Sequence, residues 1–258
     1  MKKYGFIFSA LLSAVIFCGC SSSEEDFAKS MLQAKDCMAK GQIKEALIYS
    51  QNAQKCQPNS PEAIVMTALA LERNQKNHEA LEEIQKAIKI APGNYFVQYT
   101  YGRLLYKNKK TDLSIAALKE AVRLNPGKTE AKELLAKAAT EAKDYETALK
   151  QFQELVKAPN YKNKDIIYNE ISVYYYLVKR DYRTSTKYFN AAVKAKKEHS
   201  PTLLLNGAVL CETRYNTEGK NVFRVSAQNL YRRYLAATKR DTSRSKKRAA
   251  VEARIKRL

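Results

Sequence analysis

Residues 61–94 read PEAIVMTALALERNQKNHEALEEIQKAIKIAPGN, and residues 95–128 read YFVQYTYGRLLYKNKKTDLSIAALKEAVRLNPGK. Laid one under the other, they place Ala68 over Gly102, Ala80 over Ser114, Ala87 over Ala121 and Pro92 over Pro126. The columns extend outward to Ala34, Ala46, Ala53 and Pro58 on one side and to Ala136 and Ala148 on the other. A fixed period of this length is the mark of helix-turn-helix units that cannot bury their apolar faces alone and stack to do so. The residue types have a steric reason: two antiparallel helices approach to about 8–10 Å only where the crossing positions carry little side chain. The prolines follow each second helix, where a missing N–H and a fixed φ end one helix and suit the first turn of the next.

Gly41, Asn77, Lys110 and Asp144 fall where the first helix of each unit turns into the second, and each is followed by an amphipathic run such as Ile43 to Leu47 or Tyr145 to Leu149. By composition only Tyr174 to Val178 reads as a strand. Its place in the repeat phase makes it helical, since tertiary context overrides propensity.

These residues resemble the tetratricopeptide repeat family. Aligned on its small eighth position, the units run 27–60, 61–94, 95–128, 129–162 and, after a slip of three residues, 166–199. A sixth starts near Ser200. Ser30, Ile64, Gln98 and Lys132 replace the aromatic usual at the fourth position, and the chain has no Trp. In the fifth unit Val173 takes the small position and Ser185 the crossing alanine; in the sixth, Gly207 is in phase, and the second helix is delayed by a loop around Tyr215 to Lys220 until about Asn221. The resemblance implies an all-α fold, a right-handed superhelical solenoid of about six helix-turn-helix repeats.

The N-terminus predicts the compartment. Lys2 and Lys3 precede an apolar run from Phe6 to Phe17, the length of a secretory h-region and short for a membrane span. The following Phe17-Cys18-Gly19-Cys20-Ser21 is similar to a bacterial lipobox, which implies acylation of Cys20 as the new N-terminus. By resemblance to sorted bacterial lipoproteins, Ser21 next to it implies the outer membrane, facing the periplasm, with surface or inner-membrane placement as alternatives. The chain thus divides into a lipoprotein signal peptide (1–19), a tether (20–26), repeats one to five (27–199), a degenerate sixth repeat with a capping helix (200–240) and a basic helix or tail (241–258).

Cys37, Cys56 and Cys211 are expected to be free, small apolar packers, because Cys37 and Cys56 lie at opposite ends of antiparallel helices, roughly 15 Å apart at 1.5 Å per residue. His78 and His199 are solitary, no Cys/His spacing suits a metal, and no phosphate loop or nucleophile elbow is present. No cofactor and no catalytic role are expected.

Membership of the family would place binding on the concave face, at the second, fifth, ninth, twelfth and thirteenth positions of each first helix. In the third unit these are Phe96, Tyr99, Arg103, Tyr106 and Lys107, and in the fifth they include Glu170 and Tyr174. Tyr and Arg are the residues that dominate interface hot spots. Packing of Phe96 and Tyr99 against the neighbouring helix is the competing reading. A second surface is the C-terminus: the chain carries +20, and its last 39 residues hold 13 Lys or Arg against Asp241 and Glu252. Arg244, Lys246, Lys247, Arg248, Arg254, Lys256 and Arg257 surround an apolar stripe of Val251, Ile255 and Leu258. Such a helix suits an anionic lipid or cell-wall polymer, or else simply caps the last repeat. With an export signal, nucleic acid is not the expected partner.

Two functions follow. One is a membrane-anchored scaffold that holds an extended peptide or helix of a partner protein in its groove, for a pilus or secretion machine; the stretch Asn94 to Leu105 resembles the third repeat of the pilotins that serve type IV pilus secretins. The other is an envelope tether working through the basic C-terminus.

Overall fold

The computed structural model describes residues 7–258, with side chains from residue 23 onward. The segment expected to be a signal peptide and Cys20 lie outside the described side chains. Thirteen α-helices follow one another, with no strand among the described residues: α1 (Ile7–Lys40), α2 (Ile43–Cys56), α3 (Pro61–Arg73), α4 (Asn77–Ile90), α5 (Tyr95–Lys107), α6 (Thr111–Leu124), α7 (Thr129–Glu141), α8 (Tyr145–Lys157), α9 (Lys164–Leu177), α10 (Tyr182–Ala195), α11 (Pro201–Glu218), α12 (Asn221–Ala237) and α13 (Ser245–Arg257). This is the expected all-α array of tetratricopeptide-type hairpins. Residues 23–26, expected as a flexible tether, are helical within α1. Glu25 and Lys29 stand four apart there, a spacing that supports a helix.

The described residues form two compact units that divide between 142 and 143. In the first, α1 to α7 pack each on its sequence neighbours, and the first helices of successive repeats, α1, α3, α5 and α7, also touch in order. The core between them is built from Ile64, Leu71, Ile84, Val97, Leu104 and Leu105 around buried Ala68, Ala80 and Ala87. Gly102 is needed where it stands: a Cβ there would lie 2.7 Å from Leu118 Cγ. Ser114 replaces alanine at no polar cost, because its hydroxyl donates to the Gly102 carbonyl at 2.7 Å. Ser60 with Pro61, and Asn94, cap α3 and α5 by accepting from the backbone N–H groups of Ala63, Phe96 and Val97.

In the second unit, α8 to α12 continue the pattern and α13 packs on α12. Tyr174 to Leu177 is helical, the last turn of α9. Two local expectations are corrected. Ser172, not Val173, is the small residue of the fifth repeat: Ser172 and Ser185 each donate to the other's carbonyl at 2.8 Å, buried at the crossing of α9 and α10. The slip therefore divides, with extra chain both before α9 and in the turn after it. The expected loop around Tyr215 is also absent, because α11 runs on to Glu218, held by an Arg214–Glu218 ion pair of 2.7 Å one turn apart and stopped by Gly219 at φ 68°. Gly207 meets a neighbour rather than its own hairpin partner, since a Cβ there would sit 2.2 Å from Phe189 Cζ of α10.

Among the described residues no helix is long and apolar enough to cross a membrane. Cys37, Cys56 and Cys211 are free, and burial pushes the Cys211 thiol up, away from the reactive thiolate.

Candidate functional site

The first helices of repeats one to four carry a cleft. Asn94 fixes the entry of α5, and three aromatic residues, Tyr95, Phe96 and Tyr99, then lie along one side of its first two turns. Tyr95 and Tyr99 stack with centroids 5.9 Å apart and planes within 3°, and Tyr95 meets Phe96 edge to face at 5.3 Å. The ledge holds Phe96 out, 61% exposed. On one side of it lies a depression of about 300 Å³ lined by Met38, Val65, Leu69, Tyr99 and Arg103; on the other lies one of about 310 Å³ lined by Met31, Val65, Met66, Leu69 and Val97. Phe96, Val65 and Leu69 belong to both. The arrangement is two apolar sockets divided by one ring, rimmed by Lys35, Glu62, Arg73, Lys128 and Glu130. Concave apolar surface with a few polar groups at its edge is the usual form of a binding site.

The cations expected in this groove have a partner that the sequence reading gave no such role. Glu72, in the last turn of α3, has a side chain only 2% exposed. Its Oε2 accepts from Arg103 Nη2, and its Oε1 lies 2.6 Å from Lys107 Nζ outside hydrogen-bonding angles. Arg103 keeps one buried donor, Nε, without a hydrogen-bond partner. Tyr106 is tied as well: its hydroxyl donates to Glu141, and Lys137 stands over its ring at 5.4 Å. Burial, and then the neighbouring Glu130, push the Tyr95 hydroxyl up to about 12; burial and the bond to Glu141 do the same for Tyr106, and burial raises Tyr99. Phe96, Tyr99 and Arg103 thus meet at the first socket, while Tyr106 and Lys107 are engaged one turn further along α5. Tyr95 and Met38 line the cleft without having been singled out; Tyr95 occupies the first position of its repeat, a place the family pattern does not assign to the groove.

Glu170 and Tyr174 belong to the second unit. Tyr174 is 8% exposed, edge-on to Tyr175 at 5.3 Å and with Lys179 over its ring at 5.8 Å. The one-residue register correction explains this. With Ser172 as the small residue, the outward positions become Ile166, Asn169, Val173, Tyr176 and Leu177, of which Ile166 and Leu177 are 52% and 54% exposed. Asn169 and Tyr176 reach α11, through Asn206 at 3.1 Å and Thr213 at 2.8 Å. Glu170 is half-buried, and desolvation holds its carboxyl above the usual range.

The C-terminal helix α13 is docked, not free. Val251 is buried with Tyr231, Tyr234, Leu204, Ala208 and Ala227, and Ile255 and Leu258 pack on the same cluster. Three of the seven cations are spent on the fold: Arg244 pairs with Asp241 at 2.7 Å, Arg248 donates to the Leu235 carbonyl at 2.9 Å, and Arg254 bridges Glu212 at 2.9 Å and the Tyr231 hydroxyl at 3.0 Å. Lys246, Lys247, Lys256 and Arg257 remain exposed. The apolar stripe is occupied by the protein itself, so α13 cannot lay that face into a bilayer; what it offers outward is charge alone.

A tetratricopeptide repeat model matches residues 99–162, and the model for anaphase-promoting complex, cyclosome, subunit 3 matches residues 39–121. A TPR repeat-containing protein of Methanocaldococcus jannaschii is 32% identical over 107 residues, 42% of this chain and 19% of its own. Interferon-induced protein with tetratricopeptide repeats 2 of Cricetulus griseus is 37% identical over 76 residues, 30% of this chain and 16% of its own. The chain thus spans less than a fifth of the length of these relatives. Among solved structures, PilF of Pseudomonas aeruginosa superposes with a TM-score of 0.70 at 20% identity, over 90% of this chain and 99% of that one. YrrB, described as a TPR protein with an unusual peptide-binding site, gives 0.60 at 19% identity over 73% and 95%. MamA of Desulfovibrio magneticus gives 0.58 at 20% identity over 67% and 96%. At these identities the likeness is one of fold.

Proposed function

We propose that this tetratricopeptide-repeat protein is a scaffold whose cleft on α1, α3, α5 and α7 holds an apolar segment of a partner protein. The observation that carries the reading is Phe96, kept exposed between two apolar sockets by a stack of tyrosines: an isolated exposed ring is common, whereas a ring braced on one side and flanked by sockets on both is a contact surface prepared in advance. That a protein of this fold, YrrB, has a peptide-binding site supports the same reading. The sequence adds the setting. Lipid on Cys20 would hold the array at the outer membrane, facing the periplasm, where its partner would be a subunit of a pilus or secretion machine; the fold shared with PilF along nearly the whole chain supports the repeat scaffold in this reading.

The test is photo-crosslinking in intact cells from a reactive residue placed at Arg73, on the rim of the first socket. Recovery of one envelope-machine subunit, lost when Phe96→Ala is added, is the expected result. Recovery of wall synthases would replace the pilus or secretion role, and capture that ignores Phe96→Ala would remove the cleft from it.

A second reading rests on a separate observation, the four exposed cations of α13. With its apolar face engaged, the helix would grip an anionic lipid or cell-wall polymer by charge alone, at about 1 kcal/mol per cation near a charged membrane. Reversing Lys246, Lys247, Lys256 and Arg257 to Glu separates the two roles, because attachment that is lost with these charges and weakened by salt belongs to the tether.

A further inference from the structure

The cleft is nearly neutral in a chain of +20: Glu62, Glu72 and Glu130 face Lys35, Arg73, Arg103 and Lys128 around the two sockets. Glu72 is the unusual member of this set. A carboxylate buried to this degree is costly, and an ion pair in such a place is often no more stabilising than apolar side chains of the same volume. Stability alone therefore does not account for it. Its position does: it holds the guanidinium of Arg103 from the protein side and the ammonium of Lys107 from the same side, at the end of the first socket. Without it, two cations on successive turns of α5 would converge on one point, a strong carboxylate receptor.

We propose that Glu72 is a built-in counter-ion that sets the specificity of the cleft, excluding acidic segments and admitting an uncharged one with two apolar side chains that straddle the Phe96 ring. The inference rests on the cleft being the binding site. An incoming carboxylate must displace one that is tethered in place, and intramolecular competitors win because of their high effective concentration. An uncharged segment meets no such competitor and desolvates only apolar walls. The sockets share Val65, Leu69 and Phe96, so they present one continuous surface with a single ridge, and a segment that fills both must carry its apolar groups on either side of that ridge. Specificity here comes from what is refused as much as from what is held.

The experiment is selection of a random peptide library on the full chain, on Glu72→Gln and on Phe96→Ala. The wild-type chain is expected to enrich peptides with paired apolar residues and few Asp or Glu; placing Asp beside the pair in one such peptide should weaken its binding by about tenfold, or about 1.4 kcal/mol. On Glu72→Gln the order should reverse, with the Asp-bearing peptide binding more tightly and its affinity falling as salt rises. An Asp-bearing peptide that binds the wild-type chain as well as its neutral parent overturns the proposal without any variant. Unchanged discrimination in a folded Glu72→Gln chain overturns it as well. Loss of binding in Phe96→Ala with no discrimination in wild type would sink the role of Glu72 and spare the cleft; undiminished binding in Phe96→Ala, or no enrichment on the wild-type chain, would sink both.

Discussion

At the scale of single residues, the turns inside the hairpins show where the repeat rule is strict and where it is loose. Gly41, Gln75, Lys109, Lys143 and Arg180 all have φ between 54° and 75°, and the first four are spaced by the period itself. The geometry demands a left-handed residue at this point, yet only the first hairpin and the sixth, with Gly219 at φ 68°, supply glycine. For other L-residues that conformation costs about 1–2 kcal/mol. Lys109→Gly should therefore stabilise the protein by about 0.5–1 kcal/mol, the relief of strain outweighing the extra freedom of the unfolded chain, as read from the urea midpoint; a lower midpoint would count against it. The tyrosines of the cleft make a second prediction. Tyr95 and Tyr106 ionise near 12 in the folded chain against about 10 when unfolded, so the folded state holds its protons longer. Their contribution to stability is present in full below about pH 10 and is lost as pH rises through about 12. Absorbance at the tyrosinate band should show part of the 17 tyrosines titrating late in native protein, and the lag should shrink in Tyr95→Phe with Tyr106→Phe. The aromatic side chains were legible in the sequence and their bracing was not, because stacking depends on rotamers that neighbouring helices select.

At the scale of elements, the small-residue columns and prolines set helix boundaries closely because they act through local sterics, which every repeat shares. They were less able to fix register where the phase slips. Ser172 and Val173 are adjacent and both compatible with the spacing, and only the reciprocal hydrogen bonds with Ser185 choose between them. The consequence is concrete, since that choice turns Tyr174 inward and Ile166 outward. The last helix shows the same limit. Its amphipathic stripe was readable, but a stripe does not say what it will cover. In the fold it covers the sixth hairpin, so Val251→Asp should cost about 2 kcal/mol or more, by forfeiting apolar burial and placing a carboxylate among Tyr231, Tyr234 and Leu204. The fourfold Glu reversal of the outward cations should move the melting temperature little, because exposed charges contribute about 0–1 kcal/mol each. A thermal scan of both variants checks the pair; equal losses would mean that α13 is held by charge and not by its apolar face.

At the scale of the whole molecule, charge is the dominant global property. A chain of +20 repels itself when compact; among the described residues most short ion pairs join side chains one turn apart, and the exposed ones, such as Lys40 with Asp36 and Lys157 with Glu154, add little. Raising salt screens the long-range repulsion more than it weakens buried contacts such as Glu72 with Arg103. Melting temperature should accordingly rise between about 0.05 and 0.5 M sodium chloride, as the Debye length contracts from more than 10 Å to a few; a fall would mean that local pairs outweigh the net charge. The cleft stands apart from this field, because its own acids and bases nearly balance.

The sequence by itself determined the class of fold, the length of the repeat, the places where helices end and the aromatic residues of the third repeat, because each follows from sterics or propensity within a few turns of chain. Tertiary structure alone decided that Glu72 neutralises Arg103 and Lys107 and that α13 spends its apolar face on its own hairpin. The reason is the same for both: a buried ion pair joins residues 31 or more apart, and an apolar stripe is complementary to many surfaces, so neither is settled until the helices are stacked and water has been excluded from between them.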